Sequence, residues 1–127
     1  MIVGVGNDIC NIDRIDKAYQ RHGDKFAVKI LTPAEQDIFA RHPQKIAYLA
    51  KRFAAKEAIY KAIQAHIVPP PSWQDAEILN DEAGRPIVRL STRCQQALDG
   101  YANAPVTLSL SLSDDTPFAF AVCIASA

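Results

Sequence analysis

Three cysteines in 127 residues leave no disulfide framework to read. Cys10, Cys94 and Cys123 are odd in number, widely separated and free of CxxC spacing. They point to reduced thiols in a cytosolic, cytoplasmic protein and exclude a cysteine-based zinc site. No apolar run approaches the roughly 20 residues that a membrane-crossing helix requires. The start, Met1-Ile2-Val3-Gly4, has no basic leader, and Asp8 interrupts the apolar stretch, so no secretory signal is expected. Formal net charge is zero, which speaks against a general nucleic-acid binder. Repeats, low-complexity tracts and linkers are also missing, and one domain over residues 1–127 is expected.

What is present is a lopsided charge distribution. Residues 14–61 hold eleven of the fourteen Lys and Arg against five acids, while the remainder holds three Arg and nine acids. Such asymmetry points to an anionic ligand or an acidic partner at the basic half.

Residues 2–5 read as a short strand ending near Asp8. Ile12, Ile15, Ala18, Tyr19 and His22 follow helical spacing, with Gly23 as a C-cap and Arg14, Lys17 and Arg21 on the exposed side. Thr32-Pro33-Ala34-Glu35 is a capping box with Pro at the first helical position, and Pro43 closes that helix. A long helix is predicted over residues 44–64, followed by an extended loop at Pro69-Pro70-Pro71. Residues 76–79 and 86–90 read as two strands around a turn, and Ser91 as the N-cap of a helix ending near Gly100. Val106, Leu108, Leu110 and Leu112 alternate with Thr107, Ser109, Ser111 and Ser113, the pattern of a half-buried strand. Asp114-Asp115-Thr116-Pro117 turns the chain into a last strand over 118–124. The class is α+β, an antiparallel sheet packed on a long helix.

The chemistry concentrates in Arg52-Phe53-Ala54-Ala55-Lys56-Glu57-Ala58-Ile59-Tyr60-Lys61. At about 100° per residue, Arg52, Lys56, Tyr60, Phe53, Glu57 and Lys61 occupy one half of the helix. Ala54, Ala55, Ala58 and Ala62 occupy the other, small enough for close backbone packing. One carboxylate among several cations suits a divalent metal beside a polyanion such as a pyrophosphate. The same residues also fit a solvated face with a Glu57–Lys61 pair worth about 0.3 kcal/mol. Asp8, on its glycine-flanked strand, is either a site carboxylate or a turn-former. It lies 49 residues before Glu57, and spacing alone does not bring the two together.

The decapeptide resembles the signature of holo-[acyl-carrier-protein] synthases, the small bacterial 4′-phosphopantetheinyl transferases. Gly4-Val5-Gly6-Asn7-Asp8-Ile9, continuing through Ile12, Arg14 and Ile15, is similar to their second signature. The segment Ile78-Leu79-Asn80-Asp81-Glu82-Ala83-Gly84-Arg85-Pro86 also matches, so the likeness spans nearly the whole chain. It implies transfer of 4′-phosphopantetheine from coenzyme A to a serine of apo-acyl carrier protein in fatty acid biosynthesis, with release of 3′,5′-ADP. It implies that Asp8 and Glu57 ligate Mg2+ together, with Glu57 as the base and Lys61 serving the leaving phosphate. Arg52, Lys56, Lys61, Lys45 and His66 are the residues expected at the coenzyme's phosphates, and Arg14, Lys17 and Arg21 at the carrier protein. A homotrimer is implied as well. Phe118, Phe120, Val122 and the 106–112 strand offer either its interface or monomer core.

The chain departs from the family at Gln64-Ala65-His66-Ile67, where Gly-Thr-Gly-Ile is usual, and at Ser113-Asp114-Asp115, where some members have His-Thr. The lost glycines leave a second reading open, a catalytically weak relative acting as a carrier-binding module. A third, a Mg2+-dependent phosphohydrolase, suits the carboxylate pair but not the basic helix.

Overall fold

A helix whose inner surface is nearly all alanine can lie directly against a backbone, and this one does. The computed structural model describes residues 1–127. Its elements run β1 (Ile2–Asn11), α1 (Ile12–His22), α2 (Asp24–Ile30), α3 (Pro33–Arg41) and α4 (Lys45–Ile63). Single 3-10 turns follow at Gln64–His66 and Trp73–Asp75. Then come β2 (Ala76–Asn80), β3 (Pro86–Leu90), α5 (Thr92–Ala102), β4 (Thr107–Asp115) and β5 (Phe118–Ser126). Strands β1, β5 and β4 form an antiparallel sheet in that order, and β2 pairs with β3 as a separate hairpin.

Helix α4 crosses the inner face of the three-stranded sheet. A Cβ placed on Gly4 would stand 1.9 Å from the Ala62 carbonyl oxygen, and one on Gly6 would stand 1.9 Å from that of Ala58. Glycine is needed at both positions because backbone meets backbone there. Strand β5 offers the same helix Ala119, Ala121, Cys123 and Ala125, all buried. Ile59 and Ile63 fill the space beyond the alanines, fully buried, each contributing about 2 kcal/mol by apolar transfer. One cluster of 26 buried residues unites helix, sheet and hairpin.

Most expected elements appear within a few residues of their expected bounds. Helix α3 has the complete capping box: Glu35 N–H donates to Thr32 Oγ1 and Thr32 N–H donates to Glu35 Oε1. Strand β1 does not end near Asp8 but continues to Asn11, pairing Asp8 with Ala121 and Asn11 with Phe118. Helix α2 was not anticipated; it begins directly after Gly23, whose φ of 64° reverses the chain out of α1.

The sheet's outer face carries Val5, Ile9, Phe118, Phe120, Val122 and Ile124, all exposed. Leu108, Leu110 and Leu112 point inward and are partly buried. The three cysteines are buried and unpaired. No helix is long and apolar enough to cross a membrane.

Candidate active site

Asp8 lies on the inner-face side of β1, between the buried Gly6 and Cys10. This alternation directs its carboxylate at α4 rather than at solvent. Lys61, one turn beyond Glu57, meets it there. Its Nζ donates to Asp8 Oδ1 at 3.1 Å and to the Asn7 carbonyl at 3.0 Å. Burial raises the Glu57 carboxyl above the usual carboxylate range, the Asp8 charge raises it further, and Lys61 only partly opposes them. Asp8, Glu57 and Lys61 therefore share one electrostatic site despite their distance in sequence.

Two cavities flank the cluster. Glu57, Tyr60, Lys61, Gln64, Pro71, Ser72 and Trp73 line one of about 440 Å³. On the other side, Asp8, Arg14, Ile15, Phe26 and Phe53 help to line an apolar groove of about 340 Å³. Arg14 also joins Lys17, Ala18, Arg21 and His22 along the exposed side of α1, so a basic stripe runs up to the Asp8 carboxylate. Cys10 borders the groove, but burial, with the Asp8 charge second, pushes its thiol up to about 11. It stays protonated at neutral pH and is no nucleophile.

The carboxylates fit a hard divalent cation. Two acids share a partly buried site with a single lysine, leaving negative charge uncompensated. No group of three or more His, Cys, Asp or Glu side chains gathers there. Mg2+ suits such a donor set, because it binds through one or two carboxylates and completes its shell with waters and phosphate oxygens.

Two expected phosphate ligands lie elsewhere. Lys56 is fully buried, with Nζ donating to Glu35 Oε1 at 2.7 Å, the Ile30 carbonyl at 2.6 Å and the Trp73 carbonyl at 2.9 Å. All three of its N–H donors are used, so it offers none to a coenzyme phosphate. Arg52 is buried as well, over the Tyr48 ring and bonded through Nη2 to Asn80 Oδ1. The charged half of the α4 wheel is thus neither a solvated face nor a single binding face.

Lys45 is exposed near the Phe39 ring and stands twelve residues before Glu57, about 18 Å along the helix. His66 stacks on Tyr101 with ring centroids 3.7 Å apart. The turn that carries it needs no glycine: Gln64 has φ −61°, and Asn103 is the sole non-glycine residue with positive φ. Gln64-Ala65-His66 therefore adopts the turn without a positive φ.

Neither the cavity wall formed by Pro71, Ser72 and Trp73 nor Glu35 as the partner of Lys56 was visible in the sequence. The capping box did not reveal the pairing, because Lys56 donates to Oε1, the same Glu35 oxygen that accepts the Thr32 N–H, while Oε2 accepts from the Ile78 N–H.

Residues 4–123 match the 4′-phosphopantetheinyl transferase superfamily. A holo-[acyl-carrier-protein] synthase of Vibrio atlanticus is 41% identical over 97% of this chain and 96% of its own length. The crystal structure of the Neisseria meningitidis holo-[acyl-carrier-protein] synthase superposes with a TM-score of 0.87 at 34% identity, covering 100% of both chains. The Helicobacter pylori holo-[acyl-carrier-protein] synthase, solved in complex with coenzyme A, gives a TM-score of 0.82 at 32% identity over 96% of this chain and 99% of that one. With the motifs, the fold and these likenesses in agreement, the chain belongs to the holo-[acyl-carrier-protein] synthases of the 4′-phosphopantetheinyl transferase superfamily.

Proposed function

We propose that this protein transfers the 4′-phosphopantetheine group of coenzyme A to a serine hydroxyl of apo-acyl carrier protein, supplying holo-carrier for fatty acid synthesis. The observation that carries the reading is the convergence of Asp8, Glu57 and Lys61 on one site between two cavities. The serine oxygen forms a bond to the β-phosphorus of the coenzyme, and the bond from that phosphorus to the bridging oxygen breaks. The electron pair leaves with 3′,5′-ADP.

Asp8 and Glu57 would hold Mg2+, which when bound neutralises pyrophosphate charge. Glu57 accepts the serine proton; burial and the Asp8 charge raise its pKa and make it a better base than an ordinary carboxylate. Lys61 places a cation beside the leaving phosphate, where charge accumulates in the transition state. Lys45, against the Phe39 ring, and His66, stacked on Tyr101, do not line the Glu57–Lys61 cavity, so Lys61 alone remains of the expected phosphate ligands there. Arg14, Lys17 and Arg21 receive the acidic carrier along α1, leading its serine toward Asp8.

The exposed apolar face of β1 and β5 is assigned to a homotrimer interface, since so many aliphatic and aromatic side chains on one sheet surface need a cover. Three buried, unpaired thiols agree with a reducing, cytoplasmic setting.

The test is chromatographic. Incubation with coenzyme A, Mg2+ and apo-carrier should release 3′,5′-ADP in step with carrier consumed. Release of free phosphate, or of 3′,5′-ADP without carrier, would indicate a hydrolase instead.

A further inference from the structure

Lys56 and Tyr60 lie one helical turn apart on α4 and face the same way. Both hold the loop that walls the Glu57–Lys61 cavity. Tyr60 donates its hydroxyl to the Ser72 carbonyl, and Lys56 donates to the carbonyl of the next residue, Trp73. Two consecutive carbonyls are thus clipped by one stripe of one helix. Glu57 and Lys61 follow each of these residues by one position, and therefore project from the same two turns into the cavity that the loop encloses.

The clip is anchored from behind. Glu35 takes the Lys56 ammonium on Oε1 at 2.7 Å and the Ile78 backbone N–H on Oε2 at 2.8 Å. Both charged side chains have no solvent exposure. A fully hydrogen-bonded ion pair in the interior fixes geometry more effectively than it adds stability, because desolvating both charges offsets much of their attraction.

We propose that Lys56, with Glu35, is a positioning residue for coenzyme A: it fixes the Pro71–Trp73 wall against Glu57 and Lys61 and so sets coenzyme affinity without touching the coenzyme. This rests on the coenzyme reading of the cavity given above. Carrier affinity should be nearly independent of the pair, because the basic stripe of α1 lies across the Asp8 groove on the other side.

The test uses Trp73 as its own reporter, since it is the chain's one tryptophan and lines the cavity. Lys56→Met alone would strand a buried carboxylate, so the informative variant is Lys56→Met with Glu35→Gln. Coenzyme A titration followed by Trp73 fluorescence should show Kd raised about tenfold, a loss of one to two net hydrogen bonds. KM for coenzyme A should rise in parallel, while KM for the carrier stays within about twofold and kcat falls less than KM rises. Tyr60→Phe deletes the companion bond without disturbing the ion pair, and should raise the coenzyme Kd about threefold. If the double variant does not fold, Tyr60→Phe alone decides.

Variants that fold, melt lower and bind coenzyme A as tightly as wild type would overturn the positioning role, leaving the pair merely structural. Equal losses for carrier and coenzyme would overturn it too. A wild-type protein that binds no coenzyme A would instead sink the reading of the cavity itself, and this proposal with it.

Discussion

The charged form of Glu57 carries a cost. Its folded pKa lies above the ordinary value because of burial and the nearby Asp8. The sign follows from linkage. An acid whose pKa is raised by folding stabilises the fold fully below its unfolded pKa, and that contribution is lost as pH rises through the folded pKa. The ionised form of Glu57 is therefore a local liability in metal-free protein. Glu57→Gln should raise Tm in EDTA at pH 8, and the gain should vanish by about pH 4, where both proteins are neutral at this site. A lower Tm at pH 8 would contradict this account. The same residue shows the limits of reading depth from a wheel. Residues 52–61 could be placed around α4 from the sequence, and Glu57 and Lys61 do border a cavity. Lys56 could not be distinguished from them, because its depth depends on Glu35 from another helix.

Between elements, the tightest joint is β1 on α4. Gly6→Ala would force a Cβ to within 1.9 Å of the Ala58 carbonyl oxygen. Backbone on both sides cannot move aside as a side chain can, so a loss of about 3 kcal/mol is expected. Denaturant midpoints should register it, and a stability unchanged within error would disprove the close approach. The alanine stripe of α4 and the glycines of β1 were both visible in the sequence; their meeting was not, since it depends on tertiary placement. Helix α3 was legible from the Thr32–Glu35 box, and β4 from its alternation. Helix α2 was not, because seven residues without a side-chain cap carry too little periodicity to announce a helix. The extent of β1 was missed for a different reason. Asp8 looks like a strand-ending residue, whereas here it is a strand residue turned toward α4 and the Lys61 ammonium.

At the scale of the whole molecule, two surfaces await partners. Phe120, on the outer sheet face, is 39% exposed. Phe120→Glu should convert the proposed trimer to monomer in sedimentation velocity while leaving the fold intact; a wild-type monomer would refute the assembly. Arg14→Glu should raise KM for the carrier about tenfold or more, with KM for coenzyme A nearly constant. Added salt should mimic the variant, since exposed charges are screened over about 10 Å at 0.1 M. Equal loss of affinity for both substrates would move Arg14 into the coenzyme site.

The central claim is that Asp8 and Glu57 serve phosphopantetheine transfer from one shared site. Its most direct test is the intact mass of apo-acyl carrier protein after incubation with coenzyme A, Mg2+ and either wild type or Asp8→Ala. Wild type should add a single phosphopantetheine to one serine, and folded Asp8→Ala should be slower by at least about a hundredfold. Carrier left unmodified by the wild-type protein, or modified at equal rates by both proteins, would contradict the account.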